Sequence, residues 1–225
     1  MDIQAPPLSI EIISDAVCPW CYIGKRRLEE ALAQRAKQQP QTNQEARVRW
    51  LAFQLNPDIP AGGVDRRRYL EQKFGGPDRA QQIYARIKAA GDDVGIAFDF
   101  ERIARQPNTI DAHRLTAWAQ QIDLRAADAL VERLFHAYFV EGVDIGDIDN
   151  LSAVAGDAGF DAGAARVWLA SDAGRAEVAA EERRARTLGV AGVPFFIFNQ
   201  RLTVSGAQPA HVLLDAIEQS ETVAG

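Results

Sequence analysis

Leu8-Ser9-Ile10-Glu11-Ile12-Ile13-Ser14-Asp15-Ala16-Val17-Cys18-Pro19-Trp20-Cys21 is the stretch on which the reading of this chain turns. Leu8 to Ile13 alternates apolar and polar and closes on two isoleucines, the pattern of a buried strand. Ser14 to Val17 is short and loop-like, so Cys18 stands where a helix begins. Pro19 fits the first helical turn, where its missing N–H costs nothing. From Tyr22 to about Lys37 the chain is rich in good helix formers, and Leu28, Ala31, Leu32 and Arg35 recur at helical spacing. Arg47 to Phe53 alternates again and predicts a second strand. A strand–helix–strand unit with parallel pairing and a right-handed crossover is expected.

The two cysteines carry the chemistry that can be read locally. A thiolate, not a thiol, attacks a disulfide. A sulfur at a helix start faces free backbone N–H groups and the positive end of the dipole, both of which favour an anion. Cys21 lies one helical turn beyond Cys18, close enough to attack a mixed disulfide formed there. Trp20 is placed to stack against a partner. The competing reading, two ordinary buried cysteines, leaves the agreement of strand, proline and spacing unexplained. Asp15 has two open readings, a proton acceptor for Cys21 or a loop acid capping the helix. No metal is expected. Zinc needs more ligands than two cysteines, and His113, His136 and His211 are not paired at ligand spacing. Asp144, Asp147 and Asp149 lack the glycine and glutamate of a calcium loop.

Outward from this unit the chain changes character. From about Val64 to Leu188 it is mostly helical, with its strongest apolar stripe at Leu130, Leu134, Phe135, Tyr138 and Phe139 within Leu124 to Val140. Asp65, Asp78, Asp147 and Asp161 sit where a cap or first-turn acid is favourable. Asp92 to Arg105 is an irregular connection carrying Ile96, Phe98 and Phe100 into the core. Arg66-Arg67-Arg68 and Arg183-Arg184 are expected on solvated helix faces. The end returns to strands: Pro194 to Phe198, a turn at Asn199-Gln200, then Arg201 to Val204. Gln208 to Gln219 closes the chain as an amphipathic helix with Val212, Leu213, Ala216 and Ile217 inward. Pro194 opens its strand, and on the residues alone a trans bond is the ordinary expectation.

With 47% hydrophobic and 25% charged residues, the chain is globular, and 225 residues suit one large domain or one domain with an insertion. The net charge of −6 argues against nucleic-acid or anionic-membrane partners. Met1 to Ile13 has no basic n-region, sustained apolar run or small-residue cleavage site, so neither leader nor transmembrane segment is read there, and a cytoplasmic location is expected.

Cys18-Pro19-Trp20-Cys21 after Ser14-Asp15, the long helical insert, and Gly192-Val193-Pro194 before a hairpin together resemble the DsbA family of the thioredoxin superfamily. With Asn108-Thr109-Ile110-Asp111-Ala112-His113-Arg114 in the insert, the chain is most similar to the FrnE-like branch. The resemblance implies an α/β thioredoxin fold from residues 1–60 and 188–225, interrupted by an all-helical insertion at 61–187. It implies that Cys18 attacks, Cys21 resolves, and Pro194 is a cis proline facing them, with the backbone of Val193 pairing with an extended substrate. Pro19, Trp20, Val193, Asn108 and His113 form the expected substrate-contacting set. His113 and Arg114 either line the cleft or serve as a hydrogen-bonded core residue and a surface charge, the commoner fate of each alone. Disulfide- or dithiol-containing proteins or small molecules are the expected partners. No tightly bound cofactor is expected, glutathione being admissible as a co-substrate.

The same branch is similar to 2-hydroxychromene-2-carboxylate isomerases and kappa-class glutathione transferases, which place serine where Cys18 stands. Their Ser-Asp pair for glutathione corresponds here to Ser205-Gly206-Ala207-Gln208, so both departures favour redox work over isomerisation. A redox-inert binding module is the weakest reading, since it has no need of two free thiols.

Overall fold

The computed structural model describes residues 7–40 and 46–222. Met1 to Pro6, on which part of the leader reading falls, lie outside the described residues.

Strand β1 (Ser9–Ser14) leads through a four-residue turn into helix α1 (Pro19–Gln38), and the chain returns in β2 (Arg47–Ala52). β1 and β2 pair in parallel, with Ile10 opposite Val48 and Ile13 opposite Leu51. Near the C-terminus β5 (Phe195–Phe198) runs antiparallel to β1 and forms a hairpin with β6 (Leu202–Ser205), giving the sheet order β2-β1-β5-β6. Asn199, Gln200 and Arg201 connect the two strands, and Asn199 and Gln200 have φ of 48° and 58°, the left-handed pair that matches the twist of a tight hairpin. Helix α9 (Ala210–Thr222) then packs against α1.

Alternation along the strands sorts side chains onto two faces. Ile10, Ile12, Trp50, Phe196 and Phe198 join the large core that includes α1 and α9. Ile13, Leu51 and Ile197 point the other way and form a second core with Ala185 and Val190. β1 is thus packed on both faces, and its adjacent Ile12 and Ile13 point into different cores.

Between β2 and β5 lie α2 (Arg66–Phe74), α3 (Pro77–Asp92), α4 (Ile110–Ile122), α5 (Leu124–Phe139), α6 (Ile148–Asp157), α7 (Ala162–Ala170) and α8 (Arg175–Thr187). Asp65, Asp147 and Asp161 accept hydrogen bonds from the first-turn N–H groups of α2, α6 and α7, and Asp123 does the same for α5. One detail departs from an insertion built of helices alone: β3 (Val64–Asp65) and β4 (Arg105–Gln106) form a two-residue antiparallel ribbon. Ile96 and Phe98 are buried as expected from the irregular segment before it. Among the described residues no helix is long and apolar enough to cross a membrane.

Two arginines expected on the surface are inside. Arg114 has 0% relative exposure. Its guanidinium donates to the carbonyls of Trp168, Leu169, Ser171 and Ala173 and to Asp111, so it caps the C-terminal end of α7. Arg66, 5% exposed, lies over the Tyr84 and Phe100 rings and donates to the Phe100 carbonyl at 3.2 Å.

Candidate active site

Cys18 is the residue flanking α1, with extended backbone (φ −96°, ψ 110°), and Pro19 follows in the first turn. The turn is closed by the Cys18 N–H, which donates to the Asp15 carbonyl at 3.0 Å. Both sulfurs are free thiols and both are buried. The Cys18 thiol meets the Val193 carbonyl at 3.6 Å, within the range of a weak sulfur hydrogen bond, and the Val193–Pro194 peptide bond is cis. The N-terminus of α1 and the loop before β5, 175 residues apart in sequence, thus meet at one sulfur.

Gly24 explains how they come so close. A Cβ at this position would lie 3.0 Å from Pro194 Cγ and 3.2 Å from Phe196 Cζ. A glycine within a helix costs stability relative to alanine, and here it lets α1 lie directly on the proline loop. Beside the sulfurs Pro19 is half-buried and Trp20 is 39% exposed, an apolar surface next to the reactive turn.

Cys21 is the more enclosed thiol. Burial pushes its pKa well above the ordinary range, and the hydrogen bond and charge of Cys18 push the same way. The Ser14 hydroxyl and the Asp15 backbone N–H oppose this by bonding the sulfur. Neither Ser14 nor Gly24 was given a role at the site from the sequence. Gly24 carried a signal, a glycine inside an otherwise strong helical pattern; Ser14 entered only as part of the Ser14-Asp15 pair before the cysteines.

Asp15 is fully buried. One carboxylate oxygen accepts the Leu55 N–H at 2.8 Å, and the other faces the Val17 N–H and the His113 ring Nε2, each at 3.5 Å. His113 therefore comes from α4 to stand against the turn that carries Cys18, although its Nε2 has no partner in hydrogen-bond geometry. Asn108 is half-buried and its amide is engaged by protein. It donates to the Ile59 carbonyl at 2.6 Å, and its oxygen accepts from Gln54 at 2.9 Å and from the Ile110 N–H at 3.0 Å. The segment Asn108 to Arg114 thus ties the loop after β2, the Asp15 turn and the end of α7 to the start of α4. Among the described residues no group of three or more His, Cys, Asp or Glu is placed to hold a metal ion.

Comparisons with known proteins bear on the family and the fold. A model of the DSBA-like thioredoxin domain matches residues 9–218. Over 152 residues the chain is 27% identical to the uncharacterised protein YwbO of Bacillus subtilis (strain 168), a match spanning 68% of this chain and 66% of that protein. Among solved structures, a probable DsbA oxidoreductase from Streptomyces coelicolor superposes with a TM-score of 0.83 at 33% identity, covering 95% of this chain and 89% of that one. The cytosolic disulfide reductase DsbM from Pseudomonas aeruginosa, solved with GSH, shares the fold with a TM-score of 0.57 at 19% identity and 96% coverage of each chain. A 2-hydroxychromene-2-carboxylate isomerase does so with a TM-score of 0.65 at 19% identity, covering 94% of this chain and 95% of that one. With residues 9–218 of its 225 matched, this chain belongs to the DSBA-like thioredoxin domain family.

Proposed function

We propose that the chain is a thiol–disulfide oxidoreductase in which Cys18 attacks and Cys21 resolves. The observation that carries this reading is the free Cys18–Cys21 pair at the start of α1, with the Cys18 sulfur against the Val193 carbonyl. Cys18 attacks one sulfur of a partner disulfide; that bond breaks and the other partner sulfur leaves as a thiolate. Cys21, one turn along the same helix, then attacks Cys18 and releases the second partner sulfur. Trp20 and Pro19 offer apolar contact to the partner, and the backbone at Val193 is the proposed pairing edge for an extended segment. Pro194 shapes that edge. His113 stands against Asp15 in the turn that carries Cys18, while Asn108 acts by holding the loop that follows β2.

Partners are proposed to be disulfide- or dithiol-containing proteins or small molecules, with glutathione as an admissible co-substrate. The proposed compartment is the cytosol, where glutathione and thioredoxin keep thiols reduced and the pair rests as a dithiol.

Trapping tests the reading. Cys21→Ser keeps the attacking sulfur and removes the resolving one, so it is expected to accumulate reductant-sensitive adducts with partners from cell extract. Cys18→Ser is expected to form none and to lose insulin reductase activity by orders of magnitude. A glutathione-dependent isomerase behaves oppositely, because serine still donates a hydrogen bond to a bound glutathione thiolate. Isomerase turnover retained in Cys18→Ser, with no adducts from Cys21→Ser, would overturn the oxidoreductase assignment.

A further inference from the structure

The resolving sulfur is also the one that burial holds in its protonated form. Cys21 has 0% relative exposure, yet it must lose a proton before it can attack Cys18. The Asp15 carboxylate is an unsuitable direct acceptor. Its oxygens are directed at the Leu55 and Val17 N–H groups and at His113, and it is the backbone N–H of Asp15 that meets the Cys21 sulfur.

Another route leads away from the sulfur. The Ser14 hydroxyl bonds Cys21. Ser14 also lines a small cavity, about 20 Å³, together with His113 and Thr116 of α4 and Glu181 of α8. That volume exceeds the roughly 10–15 Å³ that one water needs, and the lining supplies several polar partners. His113, which lines this cavity, carries a buried ring nitrogen, Nε2, without a hydrogen-bond partner, 3.5 Å from Asp15 Oδ1. Asp15 from the α1 turn is the charged group against His113, and Glu181 from α8 lines the same cavity; β2 and α5 contribute only apolar residues to the cavity wall.

We propose that His113 takes the proton of Cys21 through the Ser14 hydroxyl, with Asp15 stabilising the imidazolium that forms. The proposal rests on the exchange reaction assigned above to Cys18 and Cys21. The Cys21 S–H bond breaks, its proton passes by way of Ser14, directly or across one cavity water, to the His113 ring, and the electron pair stays on Cys21 Sγ. That pair forms the bond to Cys18 Sγ as the bond between Cys18 and the partner breaks. The partner sulfur leaves with two electrons as a thiolate and is protonated by solvent or by the imidazolium. The cysteine pair is thereby oxidised to the disulfide and the partner reduced. In the reverse direction His113 returns the proton to Cys21 as it leaves. Acting through Ser14, His113 is a positioning residue for the proton, supplied by the helical insertion to a turn of the thioredoxin half.

The test uses the reduced full-length chain and dithiobis-nitrobenzoate, whose coloured thiolate is released once when Cys18 is modified and again when Cys21 resolves the adduct. The first release depends on reagent concentration and the second does not, so stopped-flow separates them, and the ratio of the second rate to the first is read for each variant. His113→Gln fills the same space but cannot take the proton, and the ratio is expected to fall about a hundredfold, within the usual 10²–10⁴ range for general acid–base catalysis. Ser14→Ala is expected to cause a similar fall, and the double variant no further one, because the two act in one path. In His113→Ala, added imidazole is expected to restore the second release in a dose-dependent way, a response that lost packing would not give. Should His113→Ala fail to fold, His113→Gln and the double-variant comparison decide the matter. A wild-type ratio in His113→Gln, or losses that simply multiply in the double variant, would overturn the relay. Failure of the underlying reading looks different: no adduct forms on Cys18 in any variant, seen as a missing first release and confirmed by peptide mapping.

Discussion

Gly24 and Cys21 show how much of this site is decided by single atoms. With Pro194 Cγ only 3.0 Å from where a Cβ would stand, a β-branched side chain at position 24 forces α1 and the proline loop apart. Gly24→Val is expected to destabilise the chain by about 1–3 kcal/mol, the usual cost of overpacking, as a lower urea midpoint, and to slow alkylation of Cys18 by displacing the Val193 carbonyl. Unchanged stability and reactivity would mean that the loop moves freely. Cys21 makes a second prediction, through its raised pKa. Below the ordinary thiol value of about 8.5 both folded and unfolded chains keep the proton, and the group adds no pH dependence. As pH rises through that value the unfolded chain ionises first, so the unfolded state is favoured until the folded pKa is passed. The dithiol form is therefore expected to lose stability above about pH 8.5 more steeply than Cys21→Ser, when unfolding midpoints of both are followed under reductant. Tyr22 and Tyr138 also have raised pKa values, but they are common to both chains and cancel in the difference.

At the scale of elements, the helix starts are the simplest to test, because each cap acts within a few residues. Asp147 accepts from the N–H groups of Asp149 and Asn150, both at 2.9 Å. Asp147→Ala is expected to cost about 1 kcal/mol, the typical value for a lost cap, and a calorimetric midpoint within error of the parent would refute the assignment. Such local relations are what the sequence displays well. The β1–α1–β2 unit, the hairpin at Asn199-Gln200, and the Asp65, Asp147 and Asp161 caps were all legible, because periodicity and capping involve neighbours in the chain. The β3–β4 ribbon was not, since two residues are too few to show alternation. Arg66 and Arg114 were misplaced for a different reason. An arginine can be buried when its donors are matched, and the carbonyls that match Arg114 come from Trp168 to Ala173, 54 to 59 residues away. The meeting of Ser14, Asp15 and His113 was hidden in the same way, since it depends on how α4 docks rather than on anything within α4.

For the whole molecule, that docking has an energetic consequence. β2 lies at the edge of the sheet, and an open parallel edge leaves N–H and C=O groups unpaired and sticky. The inserted helices cover it. Gln120 of α4 accepts from the Trp50 N–H at 2.7 Å and donates to the Trp50 carbonyl at 2.9 Å, as a neighbouring strand would. Glu181 of α8 accepts the Ala52 N–H at 3.1 Å, and Asp128 of α5 accepts the Trp50 indole N–H at 2.9 Å. If the insertion completes the sheet in this way, neither part is a stable unit alone, and the chain unfolds in one step. Far-UV circular dichroism mainly reports the inserted helices, whereas pulsed alkylation of buried Cys21 reports the sheet and α1. In urea the two are expected to give coincident transitions. Gln120→Ala strands the buried Trp50 N–H and carbonyl, at about 1–3 kcal/mol per unsatisfied group, and should move both transitions together to lower urea. Cys21 becoming reactive at a urea concentration where the helical signal is still intact would show that the sheet opens beneath a surviving insertion, and that the edge contacts do not couple them.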